Sequence, residues 1–258
     1  AALLYLGAGA GMGILFGFSK GRKQTGEKLG RKDMPYTAAM VCLDIAAPIL
    51  LMNGVRLTAA AEVSVLSNFE IAATALIAFL VFREKISGRM WVSLALITAA
   101  SVILSYEGSA RLSFSAGAAF VIAACICWGL ENNCTKMLSS KNTYEIIVIK
   151  GIFSGAGSLI IAFIAGESFP GAKTVLCASV LGFFAYGLSI FAYIKAQSVL
   201  GAAKTSAFYA LSPFIGALLS FLILNESLSP KFAAGLAVMT AGSALAVRDT
   251  LKKGDNNG

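Results

Sequence analysis

Nine apolar stretches, separated by short polar or basic breaks, follow one another along this chain. Each is about long enough to cross a bilayer, which takes about 20 mostly apolar residues in a helix. They lie at residues 1–18, 35–54, 60–82, 87–105, 116–138, 144–165, 174–194, 204–224 and 230–247. Because every backbone amide in lipid must be bonded internally, helices are the way for an open chain to cross. The pattern predicts an all-α integral membrane protein, a polytopic helical bundle.

One pattern occurs twice. Residues 57–105 align without a gap with residues 199–247, with 14 identities in 49 positions. The shared residues include Ala60/Ala202, Ser64/Ser206, Phe79/Phe221, Glu84/Glu226, Thr98/Thr240 and Ser101/Ser243. Passing from one copy to the other crosses five predicted spans, an odd number, which turns the second copy upside down. We therefore predict an inverted-topology internal repeat, which is typical of membrane transporters.

A repeat unit of five helices predicts two domains. Residues 111–258 hold a complete five-helix repeat and a short cytoplasmic tail, whereas residues 1–110 hold four helices. The first half lacks a counterpart of residues 116–138. Nine helices are thus seen where ten are expected, and we interpret this as truncation rather than as a natural nine-helix variant.

Composition supports a membrane location. The chain is 57% hydrophobic and 13% charged, with a mean hydropathy of +0.79, which is too little polar surface for a water-soluble globule. Sixteen basic residues fall between spans on one side of the alternating topology and four on the other. Because basic loops remain cytoplasmic, we predict a cytoplasmic C-terminus in a bacterial cytoplasmic (inner) membrane. The expected partner is the lipid bilayer, not nucleic acid; an oligomer is possible, but nothing indicates one.

Metal and cofactor chemistry find little support in the residue types. The chain has no histidine, and its five cysteines all lie in apolar segments. Cys125 and Cys127 have neither the partners nor the spacing of a zinc site. We predict no metal site and no cofactor.

Three carboxylates interrupt the apolar segments. Asp44 and Glu70 lie near the middle of theirs, and Glu131 lies about a turn beyond the middle of its own. A charge at the centre of a membrane helix costs about 2.5–3.5 kcal/mol, so it normally faces a partner, water or a cavity. Lys150 is the one clearly intramembrane cation, and three acids cannot all pair with it. The alternative is that Lys150 snorkels to the cytoplasmic side and pairs with none of them. We expect at least one acid to hold a proton at neutral pH, or to be neutralised by an incoming cation or polar solute.

Polar neighbours accompany these acids at helical spacing. Trp128, Glu131, Asn132 and Thr135 share one stripe, and Ser67, Glu70 and Thr74 share another, with Asn68 at its edge. The candidate substrate-binding or proton-binding residues are Asp44, Asn68, Glu70, Trp128, Glu131, Asn132, Tyr186, Tyr193, Tyr209 and Ser212. The alternative is that such stripes only join helices, at about 0.6 kcal/mol for each hydrogen bond. That alternative is favoured for Ser, Thr and Asn and is weaker for the carboxylates.

Glu84 and Glu226 are repeat-related and lie at the ends of their spans. A carboxylate just before a helix caps free amides and interacts favourably with the helix dipole. We therefore predict a structural role for both.

Several motifs together resemble those of a known superfamily. They are Phe82-Arg83-Glu84-Lys85-Ile86, Leu224-Asn225-Glu226-Ser227-Leu228, Ser212-Pro213, and Trp128-Gly129 with Lys136. The chain resembles the drug/metabolite transporter superfamily, in particular its ten-helix members built from two EamA domains. The resemblance implies a solute carrier or exporter with a central cavity between its halves and access that alternates between the two faces. This chain departs from the pattern in lacking the first helix and in carrying Glu70 in the region where the second half has Ser212-Pro213.

We consider three functions. The first is a secondary transporter of a small organic solute, in which one or more of the three acids exchanges a proton for substrate. The small multidrug-resistance relatives are similar in using a first-helix glutamate for such exchange, and Glu131 also lies in the first helix of a half. Amino acids, amines, sugar derivatives and drugs all remain open as substrates. The alternatives are an integral-membrane enzyme acting on lipid, for which the chain lacks the usual catalytic groups, and an inactive fragment that needs a partner helix.

Overall fold

The described part of the chain is helical apart from turns, loops and one isolated bridge between Glu27 and Lys141. The computed structural model describes residues 1–19, 26–57, 63, 66–105, 115–212, 215, 219, 222 and 230–255. In these residues we number nine helices: α1 Ala2–Ser19, α2 Met34–Leu57, α3 Phe69–Leu80, α4 Gly88–Ser105, α5 Ala116–Leu138, α6 Thr143–Ile164, α7 Ala172–Leu200, α8 Ala202–Tyr209 and α9 Pro230–Asp255. The predicted all-α membrane fold is confirmed.

Four of these helices are long and apolar enough to cross a membrane, judged by length and composition. They are α2 with the turn that precedes it, α5, α6 and α7, which span 27, 23, 22 and 29 residues. The apolar segment at 60–82 differs from the prediction, because a turn at Asn68 precedes the start of α3 at Phe69. Glu70 consequently lies in the first turn of a helix and not in the middle of one.

The helices form two compact units. Unit 1 consists of Ala1–Ile49 and Glu131–Val199, and unit 2 consists of Leu50–Leu130 and Leu200–Gly258. Both α2 and α5 therefore contribute residues to each unit. Each unit combines helices from both predicted repeats, so the units of packing are not the repeats of the sequence. The division into repeats at residue 110 stays a prediction.

In unit 1, α1 packs closely against α6 and α7 through its glycines. A Cβ on Gly9 would lie 2.7 Å from the backbone nitrogen of Ile152. A Cβ on Gly7 or Gly11 would lie 2.2 Å from Ser179 or Phe183 of α7. Both partner helices contain a π-helical turn, at Lys150–Ser154 in α6 and at Phe183–Leu188 in α7. Because glycine has no side chain, helix backbones can approach this closely. The glycine-rich sequence of α1 is thus explained by packing.

This packing gives the first testable prediction. Gly9→Ala should lower the free energy of unfolding by about 1–3 kcal/mol, because its methyl group would overlap the backbone of α6. Gly17→Ala is the matched control, since a Cβ there meets nothing within 4 Å. Unfolding in detergent micelles measures both, and the control should be unchanged or slightly more stable because alanine favours helix. Equal stability of the two variants would contradict the packing.

In unit 2, helices α4 and α9 pack against each other around buried small and aliphatic side chains. The Ser93 hydroxyl donates a hydrogen bond of 2.7 Å to the carbonyl of Gly242. Ile97 and Met239, which occupy equivalent positions in the two sequence copies, are both fully buried in this core. Near one end of α9, Asp249 forms an ion pair of 2.9 Å with Lys204 and accepts a hydrogen bond from Ser87.

The loop before α2 is attached to the turn between α5 and α6. Lys141 donates a hydrogen bond of 2.9 Å to Glu27 and lies 3.7 Å from Asp33, and the Leu29 amide donates to Glu145 at 3.1 Å. The hydrogen bond to Glu27 and the two carboxylates raise the pKa of Lys141 above its usual value. The lysine therefore keeps its charge throughout the physiological pH range.

Candidate functional site

The most deeply buried charged groups of unit 1 lie together. Asp44 of α2, Glu131 of α5 and Lys150 of α6 are 1%, 3% and 6% exposed. Three helices that are separate in sequence thus each contribute one charge to the same place. We call these three residues, with Tyr5, Thr135 and Ser154, the acidic cluster.

Lys150 is the centre of the acidic cluster. Its ammonium group donates a hydrogen bond of 2.7 Å to Glu131 Oε1 and lies 3.3 Å from Asp44 Oδ2. Hydrogen bonds between charged groups at such distances are about twice as strong as neutral ones. Lys150 thus joins the two carboxylates and does not snorkel towards the membrane surface.

Hydroxyl groups complete the surroundings of the carboxylates. Tyr5 of α1 donates to Asp44 Oδ1 at 3.1 Å, and Ser154 donates to Asp44 Oδ2 at 3.4 Å. Thr135 donates to Glu131 Oε1 from one turn further along α5. The ring of Tyr186 on α7 packs edge-on against the ring of Tyr5, with 5.3 Å between the centroids. Every helix that passes through unit 1 therefore contributes a polar or aromatic group.

The local backbone explains why Lys150 and Ser154 reach the same carboxylate. They are the first and last residues of the π-helical turn in α6. Such a turn changes the direction of side chains relative to a regular helix, and it is frequent at functional sites. Gly151, directly after the lysine, lies against Gly9 of α1. This contact brings the helix that carries Tyr5 close to Asp44.

The electrostatics of the acidic cluster are unbalanced. Two carboxylates share one ammonium group, so the ionised cluster carries one negative charge. Burying an uncompensated charge is expensive, and buried ions normally hold a partner for each charge. The arrangement is suited to taking up one more positive charge, either as a proton or on a solute.

A second polar contact lies on the same helices. The side-chain amide of Gln197 on α7 donates a hydrogen bond of 2.9 Å to the backbone carbonyl of Asn132 on α5. Gln197 is fully buried, and Asn132 is buried beside it. Asn132 thus joins the site through its backbone, next to Glu131.

The structure brings together only part of the predicted site. Asp44, Glu131, Asn132 and Tyr186 lie in unit 1 at or beside the acidic cluster, and Tyr193 is half-buried two turns beyond Tyr186 on α7. The other predicted residues, Asn68, Glu70, Trp128, Tyr209 and Ser212, belong to unit 2.

The residues in unit 2 have local surroundings of their own. Asn68 forms the turn before α3, and Trp128 is half-buried on α5. Tyr209 is 56% exposed at the end of α8, and the Ser212 hydroxyl donates to the Tyr209 carbonyl at 2.7 Å. Ser212 thus bonds within its own turn.

The predicted capping glutamates have different outcomes. Glu84 accepts a hydrogen bond of 3.1 Å from the backbone amide of Ala202, the first residue of α8. Its partner is therefore not α4, the helix that follows it, as the prediction assumed. Gly201, with a φ of +88°, makes the turn that presents this amide. Glu226 and Pro213 lie outside the described residues.

Sequence reasoning missed Tyr5 and Ser154. Ser154 is not among the predicted residues, although its hydroxyl donates a hydrogen bond to Asp44. Tyr5 is the one tyrosine in α1, a helix of small and aliphatic residues with three phenylalanines or tyrosines in all. Apart from Ser19 at its end, α1 has no other hydroxyl group. A hydroxyl within such an apolar helix is the signal that could have found Tyr5, because buried tyrosine hydroxyls usually need a partner.

Comparison with known proteins identifies the family of the chain. The model of the EamA-like transporter family matches residues 1–106 and again residues 115–248. The chain belongs to the EamA-like transporter family. The same model thus matches two successive segments of the chain.

Two relatives are named only as uncharacterized transporters. The one from Methanothermobacter thermautotrophicus is 30% identical over 197 residues, which cover 72% of this chain and 56% of the relative. The one from Clostridium kluyveri is 23% identical over 239 residues, which cover 88% of this chain and 76% of the relative. The chain thus spans just over half the length of the Methanothermobacter protein.

A solved structure, described only as the crystal structure of a protein, superposes with a TM-score of 0.78. The match covers 97% of this chain and 87% of that chain at 16% identity, a likeness that shows the fold alone. The superposition thus supports the helical fold of the chain.

Proposed function

We propose that this chain moves a small organic solute across the membrane by alternating access, with proton exchange at the acidic cluster. Asp44 and Glu131 hold a proton in one state of the cycle and interact with the solute in the other. Lys150 remains bound to the carboxylates, and Tyr5 keeps Asp44 oriented.

The observation that carries this proposal is the shared lysine. Lys150 is within 3.3 Å of both carboxylates, and all three groups are more than nine-tenths buried. A cluster built only for stability would pair each buried charge, since an uncompensated one is destabilising. An excess carboxylate inside a membrane protein typically marks a proton or substrate path.

The aromatic groups beside the acidic cluster supply a second type of contact. Tyr5 and Tyr186 present aromatic edges and one hydroxyl group next to Asp44. Such groups bind organic solutes through apolar contact while the hydroxyl orients them. The solute therefore combines an organic body with a polar group that reaches the carboxylates.

The membrane and orientation of the chain are also part of the proposal. We propose a cytoplasmic membrane, with the basic loops and the C-terminus on the cytoplasmic side. The support is the distribution of lysine and arginine, sixteen against four, because basic loops resist translocation. In a variant whose five native cysteines are replaced, labelling of a single cysteine placed at Asn257 or at Gly171 from either side of the membrane tests the assignment.

Transport by the full chain in liposomes tests the proposed function. We expect solute-dependent movement of protons when a pH gradient is imposed across the vesicles, reported by an internal pH-sensitive dye. Amino acids, amines, sugar derivatives and aromatic cations are tested in turn. In detergent, the same solutes should change the number of protons that the purified protein holds.

Each control removes one explanation. Liposomes without protein measure leak, and a protonophore should abolish any gradient-driven accumulation. Uptake that ignores the pH gradient, together with unchanged activity of Asp44→Asn and Glu131→Gln, would contradict proton exchange at the acidic cluster.

A further inference from the structure

An apolar groove of about 460 Å³ lies between α3 and α4 in unit 2. Apart from Thr98 and the indole of Trp91, the residues that line it are all alanine, leucine or valine. Alanines predominate, with Ala72 on α3 and Ala95 on α4 among them. Because these side chains are short, they leave between the two helices a space in which an apolar guest would gain dispersion contacts on both sides.

The groove has the length of one membrane leaflet. It follows α4 from Trp91 to Val102, and eleven residue steps at 1.5 Å each give a length of about 16 Å. Half of the hydrocarbon core of a bilayer is about 15 Å thick. Leu76 on its wall is 40% exposed, and Ala95 and Ala99 are exposed within it. The groove is therefore open along its side and matches the acyl region of one leaflet.

Basic residues surround the end of the groove at which Trp91 lies. Arg83 and Lys85 belong to the turn between α3 and α4, and Arg89 lies in the first turn of α4. All three side chains are exposed. Arg83 has a left-handed backbone, with a φ of +53°, which is a conformation that favours glycine. The apolar groove thus ends beside three exposed positive charges.

Trp91 has the surroundings of a tryptophan at the membrane interface. Its ring packs edge-on against Phe79, with 5.7 Å between the centroids, and it lies two residues after Arg89. Tryptophan is enriched where the hydrocarbon core meets the head groups, and arginine side chains extend from there towards the polar region. This end of the groove therefore fits the level of the lipid head groups.

We propose that the groove binds an anionic phospholipid of the surrounding membrane. One acyl chain lies between α3 and α4, and the phosphate group lies at Arg83, Lys85 and Arg89. Guanidinium groups bind phosphate through paired hydrogen bonds, and clustered basic residues beside a membrane helix attract anionic lipids. The ligand is neither the solute nor the proton of the proposed function, so neither inference depends on the other.

A second copy of the chain suits this surface less well. Two copies related by a two-fold axis present the same patch of surface to each other. Because both copies have the same orientation in a membrane, the basic ends of their two grooves would meet. Like charges brought together across an interface are unfavourable. The charges at the end of the groove thus favour an anionic lipid as its occupant.

Fluorescence of Trp91 tests the proposal on the full chain in liposomes. The chain has two tryptophans, so Trp128→Phe leaves Trp91 as the single reporter in the groove. Phosphatidylglycerol with brominated acyl chains quenches the fluorescence on contact, and brominated phosphatidylcholine is the neutral comparison. We expect the anionic lipid to bind at this site about tenfold more tightly than the neutral one.

Two triple variants show whether the preference belongs to this site. The first removes the three charges at the groove, and its preference should fall to within about twofold: Arg83→Gln/Lys85→Gln/Arg89→Gln. The second removes three exposed charges of unit 1 on the same side of the predicted topology, and it should keep the preference: Lys28→Gln/Arg31→Gln/Lys32→Gln.

Filling the groove tests the position of the acyl chain. Ala95→Leu/Ala99→Leu places two larger side chains in the groove, so the preferential quenching of Trp91 by the anionic lipid should disappear. Val92→Leu is the control, since Val92 is exposed on α4 but does not line the groove. In detergent, added phosphatidylglycerol should raise the Tm of the wild type and of Val92→Leu but not that of the filled variant, which also shows that each variant is folded.

Each contrary result identifies what is wrong. Equal quenching by the two lipids in the wild type would overturn the proposal. A preference that survives removal of the charges at the groove, or is lost equally with those of unit 1, would show a general attraction to the membrane surface and no site. Quenching that falls as the ratio of protein to lipid rises would identify a second copy as the occupant. Proton exchange at the acidic cluster is measured separately and is unaffected by any of these results.

Discussion

Replacing Lys150 with methionine should destabilise the protein by about 3–5 kcal/mol, the effect of breaking a buried ion pair by removing one partner. The reason lies in the two carboxylates that remain. Lys150 is within 3.3 Å of both Asp44 and Glu131, and neither would have another described cation to bind. The free energy of unfolding in mixed micelles measures the loss.

Two further variants make this first prediction specific. Lys173→Met removes a lysine that is exposed in the first turn of α7, so it should change stability by less than about 1 kcal/mol. Asp44→Asn/Lys150→Met removes one charge of each sign and should recover most of the loss. If Lys150→Met were as stable as Lys173→Met, the shared ion pairs would contribute nothing to the fold.

The second large effect concerns transport. Asp44→Asn and Glu131→Gln should each slow solute exchange by about ten- to hundredfold. A hydrogen bond to a charged group is worth about 1.5–3 kcal/mol, and each factor of ten corresponds to about 1.4 kcal/mol. Initial rates in liposomes, corrected for the amount of folded protein, measure the change.

Glu70→Gln is the matched control for these two substitutions. It makes the same chemical change in an acid that was an equal candidate by sequence. Glu70 lies in unit 2, half-buried in the first turn of α3, where a carboxylate is favoured by the helix dipole. We expect its rate to stay within about threefold of wild type, since it keeps a similar shape and a polar end. A loss of transport confined to Glu70→Gln would refute the assignment of the acidic cluster.

Stability and transport should also separate the roles of the two carboxylates. Asp44 is held by Tyr5, Ser154 and Lys150. Its replacement should therefore lower the free energy of unfolding as well as slow exchange. Glu131 keeps one free oxygen among the described contacts. Its replacement should therefore affect exchange more than stability.

Much of this protein is determined by its sequence alone. Nine apolar segments, the low content of charged residues and the 14 repeated identities predicted an all-α membrane protein of a transporter type. These features are readable because lipid imposes a simple requirement on every segment: it must be apolar, helical and about 20 residues long. The free-energy cost of placing Asp44 and Glu131 in the membrane can also be predicted from the sequence, since a charged residue in an apolar segment is recognised without any knowledge of its neighbours.

Only the tertiary structure decided which of these residues act together. Helical periodicity assigns Asp44, Glu70 and Glu131 to stripes, but it does not say which stripes face one another. Packing of α1 on α6 through Gly9 and Gly151 brings Tyr5 to Asp44, and the π-helical turn at Lys150 joins Asp44 to Glu131. Glu84 likewise caps Ala202, 118 residues away, and not the adjacent helix. These contacts are set by the fit of small residues between helices distant in sequence, a property of the folded packing that no single segment contains.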